Sequence, residues 1–274
     1  MSAPTSEPGY QPALLEQRHR QSFPTARAIM ALVLREMAST YGRSPLGYLW
    51  AILMPAAGVA VLAVCFSLLM RSPPLGTNFT IFFATGMVPY RMWRGLVGKV
   101  AGAMQYSRQL LVYPRVTFLD AILARFLLNA LTDLLVFYIV IAGIMLAFET
   151  RVAPDLPKIA LGLVMLMALA FSVGVFNCFL NWVLPFWERL WNITTRPLFF
   201  ISGVLFLVED LPDPYSKWLM WNPLVHGIGQ LRKGFYPYYD APYIDVMYVF
   251  TISLVAGVLG LLFLRRFNLD ILDR

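Results

Sequence analysis

No charged residue interrupts the chain from Leu46 to Met70. A helix rises ~1.5 Å per residue and the hydrocarbon core of a bilayer is ~30 Å thick, so ~20 apolar residues make one crossing. The run meets that length, and it opens with Tyr48 and Trp50, residues suited to the membrane–water interface. Immediately before it, between Arg27 and Arg43, Met30, Val33, Leu34, Met37 and Tyr41 recur at helical spacing on one side, while Arg35, Glu36, Ser39 and Arg43 gather on the other. A basic amphipathic stretch abutting a span reads as an interface helix along the cytoplasmic leaflet. Packing against soluble protein is the alternative reading of the same periodicity.

Composition agrees with lipid as the solvent: 59% of residues are hydrophobic, 14% are charged and the mean hydropathy is +0.65. A chain of 274 residues holds several spans in one bundle and leaves no room for a separate catalytic domain. The net charge of +7 falls largely at span ends, the pattern of a positive-inside membrane protein rather than a nucleic-acid binder. Cys65 and Cys178 lie within apolar stretches, which argues against a disulfide framework or a metal site. Residues Met1 to Pro12 contain no apolar core of a signal peptide, so the first span is expected to insert uncleaved with the N-terminus cytoplasmic.

The expected architecture is an all-α membrane protein: a cytoplasmic tail (1–23), an amphipathic interface helix (24–45), a six-span domain (46–264) and a cytoplasmic C-terminus (265–274). The spans are placed at 46–70, 79–104, 116–148, 159–184, 193–208 and 244–264. Gly86 and Pro89 predict a bend or break in the second. Residues Tyr215 to Tyr243 are too polar to span and too apolar for an ordinary loop, which predicts re-entrant or interfacial helices on the outer side before the last span. With both termini inside, Arg27, Arg35, Arg43, Arg108, Arg115, Arg189, Arg265 and Arg266 all fall on the cytoplasmic side. No internal repeat is apparent, which argues against the inverted-repeat layout of many secondary transporters.

The run Leu34-Arg35-Glu36, then Tyr41-Gly42-Arg43-Ser44, then Leu46-Gly47-Tyr48-Leu49-Trp50 with Pro55 resembles the opening signature of type-2 ABC permeases that export polysaccharides. The Arg-Ser-x-Leu-Gly-Tyr-Leu-Trp version is similar to that of the capsular-polysaccharide members. Leu110, Leu111, Tyr113 and Pro114 resemble the family's inner connector, and Trp221-Asn222-Pro223 with His226 and Arg232 its outer segment. The resemblance implies a six-span subunit in the bacterial inner membrane that pairs with a copy of itself. Two separate nucleotide-binding ATPase subunits would dock from the cytoplasm, and lipid-linked acidic capsular polysaccharide would be the cargo. A periplasmic copolymerase and an outer-membrane export channel are further partners it implies. It also places ATPase coupling on Gln105, Tyr106, Arg108, Leu110, Leu111, Tyr113 and Pro114, with two departures: Tyr113 stands where many relatives have Phe, and Arg115 follows the Pro. Tyr48, Trp50, Thr195, Phe199, Phe200 and Ser202 become candidates for the channel lining. The chain has no Gly-x-x-x-x-Gly-Lys-Ser/Thr phosphate loop, so ATP and Mg²⁺ belong to the partner subunit and no cofactor is expected here.

Beyond the resemblance, the residues themselves single out two groups. Arg91, Arg94 and Lys99 lie well inside a span, where cations need partners: an anionic group of a glycan, or else Asp133 of the third span or the inner interface. The outer segment combines Trp218, Trp221, Phe235, Tyr236, Tyr238, Tyr239 and Tyr243 with Arg232 and Lys233. Aromatic faces of this kind either stack on sugar rings or form an interfacial belt. Asp120, Arg125 and Asp133 are expected to serve structural ion pairs, since Asp120 and Asp133 point to opposite helix faces. His19 and His226 are the only histidines and the acids are scattered, which disfavours a membrane-embedded transferase. An O-antigen, teichoic acid or drug exporter and an ion-coupled transporter remain as other readings.

Overall fold

The computed structural model describes residues 29–36, 47–111 and 117–272, and every regular element among them is helical. The expected tail (1–23) and the expected site residues Met37, Tyr41, Arg43, Tyr113 and Pro114 lie outside the described residues. Tyr48, Leu110 and Leu111 are described in their backbone alone. In chain order the helices are α1 (residues 29–36), α2 (Gly47–Leu69), α3 (Phe79–Ala101), α4 (Ala103–Leu111), α5 (Phe118–Ala147) and α6 (Leu156–Val183). They continue with α7 (Trp187–Leu198), α8 (Tyr215–Leu219), α9 (Pro223–Phe235) and α10 (Val246–Leu272), with 3₁₀ turns at Phe200–Ser202 and Val208–Asp210. Among the described residues, four helices (α2, α5, α6 and α10) are long and apolar enough to cross a membrane.

Local chemistry sets the helix starts. Asn78 accepts from the Thr80 amide at 2.8 Å to begin α3, and Asn222 caps α9 with Pro223 directly behind it. Asp120 is a cap rather than the ion-pair partner expected of it. Its carboxylate accepts from the Thr117 amide at 2.9 Å while the Thr117 hydroxyl accepts from the Asp120 amide at 3.2 Å, closing a capping box on α5.

α3 is buried through most of its length and packs against α2, α5, α6 and α9, while α6 also carries α10. The α6–α9 contact is close. A Cβ on Gly162 would meet the Leu231 nitrogen at 2.8 Å, and one on Gly234 would meet the Ile159 nitrogen at the same distance. Small residues permit such approach where helices cannot rely on water to drive them together.

Two expected spans differ from what forms. α3 runs unbroken past Gly86 and Pro89, and the break falls instead at Gly102, where α3 hands over to α4. Residues 193–208 do not form one helix. Pro197 removes a backbone donor from α7, the Phe199 amide turns to Arg196 O at 3.4 Å, and Gly203 takes a left-handed φ of 69°.

Carbonyls that leave a helix inside a bundle must find other donors. Here Arg232 of α9 supplies them: one terminal nitrogen donates to Gly203 O at 2.6 Å and Phe206 O at 3.2 Å, and the other to Val204 O at 2.8 Å. Its guanidinium lies 4.3 Å from the centre of the Phe82 ring, and the residue is only 2% exposed. A Cβ at Gly86 would come within 2.8 Å of that guanidinium, so the glycine makes its seat. Arg232 is therefore an internal brace, not the path-facing cation expected from sequence. Lys233, next in the chain, pairs with the exposed Asp240 at 3.3 Å. Charge-assisted hydrogen bonds are worth about 1.5–3 kcal/mol each, and surface pairs less than about 1 kcal/mol. Arg232→Met should accordingly lower the thermal unfolding midpoint of the detergent-purified protein by several degrees, and Lys233→Met should leave it nearly unchanged.

Candidate functional site

Arg91, Arg94, Gly95 and Gly98 follow the i, i+3, i+4, i+7 spacing of one helical face, and all four are exposed on α3. The opposite face, with Met92, Trp93, Leu96, Val97 and Val100, is buried in the bundle. The glycines leave the cationic face flat. Together with Met87, Tyr90, Lys99 and Phe199 it forms a groove of about 680 Å³. Asp133 of α5 comes near: a Cβ on Gly95 would stand 3.9 Å from its Oδ2. Among the described residues, however, none of the three cations is within ion-pair distance of a carboxylate.

The end of α7 closes the groove. Tyr90 donates its hydroxyl to Thr195 O at 2.8 Å, taking up a carbonyl freed where α7 loosens, and its ring meets Phe199 edge-on at 5.3 Å. Phe199 in turn packs edge-on against the exposed Phe200 at 5.4 Å. Tyr90, Gly95 and Gly98 escape a reading of the sequence that looks for charge, although glycines four and seven residues after Arg91 are a usable signal of an open face.

The other candidates separate. Thr195 and Ser202 are buried, with their hydroxyls turned to carbonyls of their own segment, Trp191 for one and Leu198 for the other. Neither offers its hydroxyl to a path. Trp50 is exposed on α2 and is not part of the groove wall. In the segment before α10, Trp218, Trp221 and Tyr238 are exposed, but Tyr236 and Tyr239 are not. Tyr236 packs over Gly76, and Tyr239 donates to Glu209 Oε2 at 3.2 Å while sharing a hydrogen bond with Tyr243. Sugar stacking at those two rings is thus replaced by packing. His226 accepts from the Asp245 amide at Nδ1 (3.0 Å), which leaves Nε2 to donate to Met220 O at 2.7 Å. It ties α9 to both neighbouring segments.

At the opposite end of α3, α4 buries Ala103, Met104 and Ser107 and exposes Gln105, Tyr106 and Arg108. On α1, Met30, Leu34 and Arg35 are exposed and Val33 is half-buried, while Glu36 is only 3% exposed. Glu36 was expected on the polar outer face. It turns inward instead, accepting from Arg125 Nε at 3.2 Å and Asn129 Nδ2 at 3.1 Å.

A family model described as ABC-2 type transporter matches residues 27–236. Among curated proteins, the polysialic acid transport protein KpsM of Escherichia coli is 29% identical over 237 residues, which cover 86% of this chain and 92% of the relative. The capsule polysaccharide export inner-membrane protein CtrC of Neisseria meningitidis (strain Z2491) is 25% identical over 93% of this chain and 98% of its own. BexB of Haemophilus influenzae, described in the same terms, is 24% identical over 88% of this chain and 91% of its own.

A groove open to water is checkable by labelling. In a background with Cys65 and Cys178 replaced by Ala, Gly98→Cys, where a Cβ meets nothing within 4 Å, should react readily with a water-soluble anionic thiol reagent. Leu96→Cys, on the buried face, should stay unlabelled.

Proposed function

The chain belongs to the ABC-2 type transporter family, and from that premise we propose that it is the transmembrane subunit of an ATP-driven exporter of lipid-linked acidic capsular polysaccharide. Two copies form the pathway in the inner membrane, and separate ATPase subunits supply the energy. The cationic groove carries this reading. An Arg fork binds phosphate or carboxylate oxygens two at a time, and its field is stronger beside apolar walls than in water. Among the described residues Arg91, Arg94 and Lys99 form no ion pair, although α3 is buried through most of its length, so their charge is available to a passing anion. The relative named for polysialic acid handles an acidic polymer, which agrees in sign with the groove.

In this arrangement both termini are cytoplasmic, α4 faces the ATPase, and α9 lies toward the outer side. Six crossings are made by α2, α3, α5, α6, α10 and the interrupted segment of α7 with its 3₁₀ turns. Trp50, Phe199 and Phe200 face the pathway between the two copies. Trp218, Trp221 and Tyr238 offer flat apolar faces to sugar rings at the exit, where stacking permits sliding without fixed register. A copolymerase and an outer-membrane channel receive the polymer there.

Removing the groove's charge tests the assignment. A triple substitution of Arg91, Arg94 and Lys99 by Ala should cut surface polysaccharide by about tenfold or more, the loss of one or two charge-assisted contacts. Lipid-linked polymer should build up in the cytoplasm at unchanged levels of the protein. Arg151→Ala, an exposed cation elsewhere, should have no effect. Undiminished export by the triple variant would remove the groove from the pathway, and export that tracks an ion gradient rather than ATP would overturn the function itself.

A further inference from the structure

Arg125 is the meeting point of four segments. From the second turn of α5 its Nε donates to Glu36 of α1 at 3.2 Å, and a terminal nitrogen donates to Gly102 O at 3.1 Å. Its guanidinium also stacks 4.2 Å from the centre of the Tyr106 ring of α4. Asn129, one turn further along α5, donates both to Glu36 Oε1 at 3.1 Å and to Arg125 O at 2.7 Å, which fixes the carboxylate from a second side. The ion pair is nearly dry, with side-chain exposures of 11% for Arg125 and 3% for Glu36.

Placement gives this cluster its meaning. Gly102 is the joint between α3 and α4, and its carbonyl also accepts from the Tyr106 amide at 3.1 Å. Arg125 therefore grips the joint and the first turn of α4 at once. α1, in contrast, exposes Met30 and Leu34 and sends its one acid inward to this guanidinium. A surface ion pair slides and breaks readily, but a buried pair with further hydrogen bonds has one arrangement and resists parting. An element held this way moves with its neighbours as a body.

We propose that Arg125 and Glu36 are positioning residues forming a latch that joins α1 to the α3–α4 joint. A push on α4 is thereby passed to α1 and α5 together instead of being lost as a local tilt of α4. The proposal rests on the reading of α4 as the contact with the ATPase. It adds the route by which that contact reaches the bundle. Neither residue touches the groove, so the latch acts on the efficiency of coupling and not on recognition of cargo.

The test uses the whole permease–ATPase complex in proteoliposomes, with ATP hydrolysis and glycan movement measured side by side. Arg125→Gln leaves the Glu36 charge buried, so the informative variant is the double Glu36→Gln, Arg125→Gln, which removes both charges and leaves a neutral hydrogen-bonding amide at each position. The expected result is a complex of normal stoichiometry that hydrolyses ATP within about twofold of wild type, while glycan moved per ATP falls about tenfold, within the usual range of coupling between sites. Arg125→Lys, which keeps the pair but loses the planar fork, should fall between. An unchanged ratio in the double variant overturns the latch. So does a proportional loss of hydrolysis and transport, which marks a docking role, or failure to assemble, which marks a folding role. A wild-type complex that hydrolyses ATP but moves no glycan overturns the functional reading, and the latch with it.

Discussion

Backbone polar groups buried in a helical bundle have no water to turn to, and a segment that leaves the helix there must be given donors by its neighbours. The chain meets this demand between Thr195 and Phe206 with three side chains from elsewhere: Tyr90 on α3, Asn222 at the start of α9 and above all Arg232 within α9. The guanidinium suits the task because its fixed fork reaches several carbonyls at once and its positive charge complements their negative ends. Much of the architecture follows. α9 must fold back among α3 and α6 to deliver Arg232, α6 needs Gly162 and α9 needs Gly234 to let it in, and α3 needs Gly86 to leave the guanidinium room.

The cations of this protein show why charge in an apolar sequence is ambiguous. Arg232, Arg125 and Arg91 all stand in largely apolar segments, and apart from the glycines after Arg91 their local sequence says little of their roles. Their partners tell them apart. The terminal nitrogens of Arg232 donate to three carbonyls and Arg125 donates to a carboxylate and the Gly102 carbonyl, whereas Arg91 and Arg94 face open space beside glycines. The same holds for acids: Asp120 is a helix cap, recognisable in retrospect from Thr117 three residues earlier, and Glu36 is a buried partner that helical periodicity had assigned to the polar face.

What the sequence discloses follows the same physics. Long uncharged runs can do little but span, so α2, α5 and α6 are legible within a few residues of their ends, whereas α10 continues eight residues past the apolar run, to Leu272. α3 and the later turns of α7 are legible as elements but not in their course, and the opening of α7 before residue 193 is not legible. Pro89 reads as a breaker because isolated helices break there, yet the packed neighbours of α3 hold it helical. The apolar run 193–208 reads as one span, yet Pro197 and Gly203 end the helix within it, because Arg232 from a distant segment makes the ending tolerable. Tyr236 and Tyr239 looked like Tyr238 in composition, and only the tertiary fold buries two and exposes one. Long-range hydrogen bonds of this kind have no local signature.

The geometry of the groove has a consequence for motion along it. Arg91, Arg94 and Lys99 rise along one helix, separated by about 4.5 Å and about 7.5 Å at 1.5 Å per residue. Both steps are shorter than the ~8 Å over which salt screens a charge at physiological ionic strength. Their fields therefore merge into a continuous positive strip, with no deep well at any one residue. Gly95 and Gly98 remove the steric teeth that would otherwise impose a register. On the proposed function, an anion on this strip would meet a shallow, low-friction potential, held near the helix but not halted at a point, as processive movement of a repeating chain requires.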